Sequence, residues 1–178
     1  MKRNSEVVQD DEGKRIVVIH NIQFKGRQNI DWDSVENYIR RYIGQFVEIM
    51  DTGDIVYLGK DLADEYSGSK YTEKLKGGFA KAKAKAAQGL PEMIRIATNL
   101  RKQKNLAKKH CFDARYGWYR CDTRFALPVY AEEGRVGRYN VYRAELIIRH
   151  AADHKLYLYD IINIKKKRVP RLSNRLYG

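Results

Sequence analysis

Six side chains in the second half of the chain could support cleavage of RNA without a metal ion. That reaction needs a general base for the ribose 2′-hydroxyl, a general acid for the leaving oxygen, and cations that hold the charge developing on phosphorus. The residue types that fill these roles here are His110, Arg124, Arg143, Glu145, Arg149 and Tyr157.

Four of these six residues have a simpler alternative. Arg143, Glu145 and Arg149 also fit a ladder of cross-strand ion pairs on a solvated strand face. His110 follows Lys108 and Lys109, whose charges would lower its pKa toward the neutral base form, but it also fits an ordinary exposed loop histidine. Both interpretations stay open at the level of the sequence.

Basic and aromatic residues alternate just before this group. Residues 115–120 read RYGWYR, a pattern that suits base stacking beside phosphate contacts, although aromatic residues in strands also commonly form core. The residues we expect to bind nucleic acid are Lys74, Lys81, Lys85, Arg101, Lys102, Lys104, Lys108, Lys109, Trp118 and Arg120.

The charge of the chain is concentrated rather than spread. The net charge is +13, but residues 31–65 carry nine acidic against three basic residues, a local net of −6. Residues 70–109 carry twelve basic against two acidic residues, and residues 165–178 add six basic residues and no acid. This polarity favours a defined side that faces nucleic acid over an evenly solvated surface.

Other chemistries are not expected. Residues 53–60 (GDIVYLGK) resemble a phosphate-binding loop, but the glycines are one residue too far apart and no Ser or Thr follows Lys60. No acidic pair is spaced for two metals, and Cys111 and Cys121 have no neighbours at metal-ligand spacing. We therefore expect no metal and no cofactor.

The apolar runs of the chain are short. The run at residues 16–19 is far below the roughly 20 residues that a membrane-spanning helix needs, and no N-terminal stretch resembles a signal sequence. We expect a cytoplasmic protein that does not engage a membrane. Its oligomeric state cannot be inferred from the sequence.

Hydrophobic periodicity predicts the elements that must position these residues. Apolar residues recur every second residue in some segments and every three to four in others. In order, we predict a strand over 15–24, a helix from Asp31 or Asp33 to Gly44, a hairpin over 46–58, helices over 71–88 and 92–100, and an exposed loop over 101–113.

The last third of the chain is rich in strands. Alternation in 138–149 places Tyr142 and Leu146 on one face and Arg143 and Glu145 on the other, as in a half-buried antiparallel hairpin. Pro128 predicts an edge strand or a bulge. Together the elements predict an α+β fold, with helices packed on a mainly antiparallel β-sheet.

The polar ends of the chain frame one domain. We predict a flexible N-terminal tail over 1–14, a single α+β domain over 15–165, and a basic C-terminal tail over 166–178.

Four segments carry a family resemblance: GWYR at 117–120, RFALPVY at 124–130, RAELIIRH at 143–150 and KLYLYDIINIKKK at 155–167. They resemble domains of large polyvalent proteins of phages and integrative elements. Those domains are similar to the barnase/EndoU/colicin/RelE-like nuclease superfamily. The resemblance implies a small α+β fold, a mobile-element source and a nuclease-like activity.

Two hypotheses follow. The first is a protein of a phage or mobile element that engages nucleic acid, RNA rather than DNA, with metal-independent endoribonuclease activity as its enzymatic form. The second is a non-enzymatic anti-defence inhibitor, similar to an anti-CRISPR, that binds a host ribonucleoprotein. In the second hypothesis the acidic residues 31–65 would meet a basic channel of the target. A structural phage component that self-assembles is a third alternative.

Overall fold

A computed structural model describes residues 4–24, 29–103 and 114–167 of the chain. The strands in the described ranges are β1 (Ser5–Gln9), β2 (Arg15–Ile19), β3 (Phe46–Glu48), β4 (Ile55–Tyr57), β5 (Thr98–Gln103), β6 (Trp118–Tyr130), β7 (Val136–His150) and β8 (Leu156–Lys167). The α-helices are α1 (Trp32–Arg40), α2 (Leu62–Gly68), α3 (Lys70–Lys74), α4 (Gly77–Ala86) and α5 (Leu90–Arg95).

The strands form one curled sheet in the order β1-β2-β6-β7-β8-β4-β3, and β5 pairs with the first part of β6. The β2–β6 and β4–β8 pairs are parallel, whereas the other pairs are antiparallel. The helices pack on one face of this sheet to form the main core. The predicted α+β class, with helices on a mainly antiparallel sheet, is confirmed.

The long strand β7 shows the alternation that the sequence predicts. Tyr142 and Leu146 are buried against the helical layer, whereas Arg143 and Glu145 lie on the opposite side. We call that opposite side the outer face of the sheet. Because side chains in paired strands share a face, the register of β7 also assigns the outer-face residues of β6 and β8.

Local signals place α1 where the sequence predicts it. The Asp31 side chain accepts a hydrogen bond from the Ser34 backbone N–H at 3.3 Å and so caps the helix. Val35 and Ile39 are buried, and Gly44 ends the segment with a φ of 89°. Ile43, just before Gly44, is exposed.

Three boundary predictions were wrong. β1 occupies residues that we predicted as a flexible tail, because antiparallel pairing with β2 supplies partners that a local pattern cannot show. The predicted 92–100 helix ends at Arg95, and Thr98–Gln103 form β5 instead of helix and loop. The polar sequence of β5 lacks the alternation of apolar and polar residues that indicates a strand, so pairing with β6 determines the conformation of β5.

Other predictions were right in part. The predicted 71–88 helix is divided into α3 and α4, with Gly77 at a φ of 58° after the break. Pro128 lies in the interior strand β6, but beyond the short parallel pairing with β2 and next to a register shift at Val129. Residues 166–167 belong to β8, and the rest of the predicted C-terminal tail lies outside the described residues. In the described ranges no helix is long and apolar enough to cross a bilayer.

A buried lysine links the helices to the sheet. The Lys83 side chain on α4 is fully buried, and its Nζ donates to Asp160 Oδ1 on β8 and to Thr72 Oγ1, both at 2.6 Å. The same Nζ lies 4.8 Å and 5.1 Å from the ring centroids of Tyr66 and Tyr71. Burial lowers the pKa of Lys83 and raises the pKa of Asp160, and the attraction between the two charges opposes both shifts.

We expect Lys83→Met to destabilise the fold by about 3–5 kcal/mol, because Asp160 would stay buried without its counter-charge. The free energy of unfolding, measured by urea denaturation, tests this. The double variant Lys83→Met/Asp160→Asn should regain much of the loss. The exposed control Lys74→Met should change stability by less than about 0.5 kcal/mol. A Lys83→Met protein as stable as that control would contradict the expectation.

Candidate nucleic-acid interface

A cavity of about 920 Å³ opens on the outer face of the sheet. Strands β5 to β8 form its floor, and the turn between β1 and β2 forms one wall. We call it the cationic cavity, because its lining includes the basic residues Lys14, Arg15, Arg101, Arg124, Arg143, Lys165 and Lys167, against the acidic residues Asp122 and Glu145.

Three cations lie directly opposite one another across the centre of this cavity. Arg124 on β6 pairs with Arg143 on β7, and Arg143 pairs with Lys165 on β8. We call these three residues the cationic row. Like charges on directly opposed strand positions repel each other. The row therefore costs stability in the free protein and offers a concentrated positive charge to an anion.

The cationic row is only partly neutralised. Arg124 Nη2 donates to Asp10 Oδ2 at 2.8 Å, but its Nε and Nη1 are buried with no hydrogen-bond partner among the described residues. Arg143 and Lys165 are exposed, and neither forms an ion pair with any residue that the structure describes. The row thus retains donors that an anionic ligand could satisfy.

The neighbouring Lys167 experiences the same positive field. Burial lowers its pKa below the ordinary lysine value, and the charges of Arg124, Lys14 and Arg143 lower it further. Glu12 acts in the opposite direction and is outweighed. A bound anion would reverse these effects, because it favours the protonated amine.

Glu145 lies beside the row and is held by three donors. Arg101 Nη2 donates to its Oε1 at 2.8 Å, while Arg120 Nη1 and Asn163 Nδ2 donate to its Oε2 at 3.1 Å and 2.7 Å. The carboxylate is therefore fixed in position. An ionised carboxylate has about four acceptor sites, so one remains for a ligand hydroxyl.

The predicted catalytic residues divide into two places. Arg124, Arg143 and Glu145 all line the cationic cavity. Arg149 and Tyr157 lie further along the outer face in a second cleft of about 560 Å³. The six residue steps from Arg143 to Arg149 along β7 correspond to about 20 Å. His110 lies outside the described residues.

Tyr157 is engaged in its own cleft. Its hydroxyl donates to Asp153 Oδ2 at 2.5 Å, and this hydrogen bond is the main cause of its raised pKa. The Arg149 guanidinium lies 5.0 Å from the Tyr157 ring centroid and 3.5 Å from Asp61 Oδ2. These two residues contact each other and not the cavity that holds Glu145.

The predicted nucleic-acid-binding residues divide as well. Arg101 lines the cavity, and Arg120 and Trp118 share the outer face of β6. Lys102 points the other way from Arg101, since alternate strand residues occupy opposite faces. Three others, Lys74, Lys81 and Lys85, belong to the helical layer. The remaining three, Lys104, Lys108 and Lys109, lie outside the described residues.

Four cavity residues were missed by the sequence analysis. Lys14 and Arg15 join the cavity only because the β1–β2 hairpin folds against β6. Lys165 and Lys167 belong to a KKK run at the predicted tail boundary. Lys165 and Lys167 are two residues apart and so share a face of β8, but two register shifts interrupt the alternation of β8, so spacing alone does not show which face that is.

The described residues were also compared with the requirements of a metal site and of a cysteine nucleophile, and the chain was compared with known proteins. Among the described residues no group of three or more His, Cys, Asp or Glu side chains is placed to hold a metal ion. Burial raises the pKa of the Cys121 thiol to about 12, so this cysteine is not a ready nucleophile. Comparison with protein-family models, curated proteins and solved structures found no match to the chain.

We expect Asp10 to stabilise the wall of the cavity in a pH-dependent manner. Burial raises its pKa, but hydrogen bonds from Arg124 and from the Lys14 and Glu12 backbone outweigh burial and hold the pKa below its ordinary value of 3.8. The carboxylate therefore stabilises the fold above the unfolded pKa, and this contribution is lost as pH falls through the lower folded pKa.

Urea denaturation of the wild type and Asp10→Asn across pH measures this effect. The difference in free energy of unfolding should be on the order of 1 kcal/mol at neutral pH and should shrink toward zero in strong acid. Asp11→Asn removes an equal charge from the same turn as a control. A difference for Asp10→Asn that stays constant with pH would refute the assignment.

Proposed function

We propose that the chain binds single-stranded nucleic acid, RNA in particular, with its phosphates in the cationic cavity. The observation that carries the proposal is the cationic row of Arg124, Arg143 and Lys165, whose donors are incompletely used among the described residues. Arginine and lysine side chains this close together attract a polyanion. Binding is favoured because the phosphates replace repulsion among the three cations with attraction between cations and phosphates.

The carboxylate beside the row supports RNA as the ligand. Arg143 and Glu145 are two residues apart on the same face of β7, about 7 Å along the strand. A phosphate at Arg143 would bring a neighbouring ribose close to Glu145. The free acceptor site of Glu145 could then receive a hydrogen bond from a 2′-hydroxyl, which DNA lacks.

The family resemblance agrees with this proposal. A relative of a nuclease-like domain from a phage or integrative element would need a surface for nucleic acid. Likeness of fold alone does not establish a reaction. The proposal therefore rests on the cavity.

We expect binding to oligouridylate to weaken steeply with salt, because each neutralised phosphate contributes about −0.7 to the slope of log affinity against log salt on a single strand. Arg143→Gln and Lys165→Gln should each weaken binding and reduce the magnitude of the slope, by about one contact each. Fluorescence anisotropy over a salt series measures both quantities.

Arg95→Gln is the matched control for these variants. Arg95 is an exposed arginine on α5 and does not line the cavity. Its substitution by glutamine removes the same charge from the protein as the cavity variants do. It should leave the slope close to the wild-type value. A flat salt response of the wild type would overturn the proposal and favour the alternative of a protein partner, such as a host ribonucleoprotein.

The position of Glu145 favours a second candidate function, metal-independent cleavage of the bound RNA. Glu145 would take the proton of a 2′-hydroxyl, and the 2′-oxygen would attack the adjacent phosphorus. The bond to the 5′-oxygen would break, with a proton supplied by a cavity lysine such as Lys167, leaving a 2′,3′-cyclic phosphate and a 5′-hydroxyl. The cationic row would hold the charge of the intermediate.

We expect Glu145→Gln to separate binding from cleavage. The variant removes the base and one negative charge, so cleavage of RNA in EDTA should fall by about 100-fold or more while affinity stays equal or increases. Gel analysis of cleavage and anisotropy of binding measure the two effects. Asp122→Asn, a neighbouring carboxylate on β6, is the control for charge. Cleavage that persists in Glu145→Gln would exclude this role.

A further inference from the structure

A second row of side chains crosses the outer face, away from the cationic cavity. Trp118 on β6 lies opposite Arg149 on β7, and Arg149 lies opposite Tyr157 on β8. The row continues from Tyr157 to Tyr57 on β4 and from Tyr57 to Phe46 on β3. We call these five residues the aromatic row. It places four rings and one guanidinium at matching positions on five adjacent strands.

The rings of this row are spaced rather than stacked on one another. The centroids of Phe46 and Tyr57 are 5.7 Å apart with an interplanar angle of 46°, and those of Tyr57 and Tyr157 are 5.8 Å apart at 41°. Tyr159 meets Trp118 edge-on at 4.9 Å. Phe46 is 62% exposed, so most of its ring surface is accessible to a ligand.

Cations are interleaved with these rings. The Arg149 guanidinium lies over Tyr157, and Lys155 Nζ lies 4.9 Å from the Tyr57 centroid. Three carboxylates face this part of the surface. Asp61 and Asp153 are engaged with Arg149 and Tyr157, and the exposed Glu48 lies two residues from Phe46 on the same face of β3. Rings that alternate with cations suit a ligand that presents both flat apolar groups and negative charges.

The alternation of rings with Arg149 and Lys155 therefore favours a nucleic-acid strand over an apolar protein segment. We propose that the aromatic row is a base-stacking platform for the same strand whose phosphates occupy the cationic cavity. This inference rests on the proposed function. The two rows are about 20 Å apart along β7. That distance corresponds to about six nucleotides at 3.4 Å each, and to fewer in an extended strand.

The platform predicts that binding depends on bases as well as on phosphates. Phe46→Ala and Tyr57→Ala should each weaken binding of an oligouridylate of about twelve nucleotides by roughly 5- to 100-fold. Neither should affect binding of an abasic oligomer of equal length. Because the rings are uncharged, the salt slope should keep its wild-type value. Fluorescence anisotropy with both oligomers measures these effects.

Phe79→Ala provides the matched control. Phe79 is 44% exposed on α4 in the helical layer, and its removal should change neither affinity. Urea denaturation shows whether each variant is folded, and Tyr57→Leu replaces Tyr57→Ala if the latter is unstable, with the same expectation.

The outcomes distinguish the two proposals. If Phe46→Ala and Tyr57→Leu bind oligouridylate as tightly as the wild type while Arg143→Gln loses affinity, the platform is refuted and the cavity remains the binding site. Wild-type affinity that is equal for the abasic and base-containing oligomers also refutes the platform. If the wild type binds neither oligomer at low salt, both proposals fail.

Discussion

The ion pair of Lys83 and Asp160 is the contact on which the arrangement of helices and sheet depends. Apolar surfaces tolerate small displacements, but two charges removed from water must keep their partners at hydrogen-bond distance. Thr72 and the rings of Tyr66 and Tyr71 complete the surroundings of the ammonium group. The Tyr71 hydroxyl also accepts a hydrogen bond from the Ile164 backbone N–H at 2.9 Å. Helices α2 to α4 are thereby tied to one register of β8.

The same register decides what the outer face presents. β8 carries Asp160 toward the helices, but Tyr157 and Lys165 toward the outside, and two register shifts in its pairing with β7 separate these segments. A slip of one residue would exchange the faces. It would bury Lys165 and remove Tyr157 from its ring neighbours. The polar contact in the core thus positions both rows on the opposite side of the sheet.

Elements with a strong local signal were predictable from the sequence, whereas those that depend on distant partners were not. The Asp31 cap and the alternation of β7 are local signals. The position of α1 and the placement of Arg143 and Glu145 on one face of β7 could therefore be predicted from residue spacing. β1 and β5 owe their conformation to pairing with other strands. Lys83 resembles its half-buried neighbours Lys81 and Lys85 in the KAKAKAA run, and only the fold shows that its charge is internal. Phe46 belongs to the aromatic row only because β3 pairs with β4 and β4 pairs with β8.

The cationic row gives salt two opposite effects on this protein. In the free protein, ions screen the repulsion among Arg124, Arg143 and Lys165 and so make the folded chain more stable. In a complex, the same ions compete with the phosphates that would otherwise relieve that repulsion. Repulsion among these three side chains on β6, β7 and β8 thus lowers the stability of the free protein. In the proposed complex a bound anion would relieve this repulsion, so the cationic row would favour an occupied cavity over an empty one.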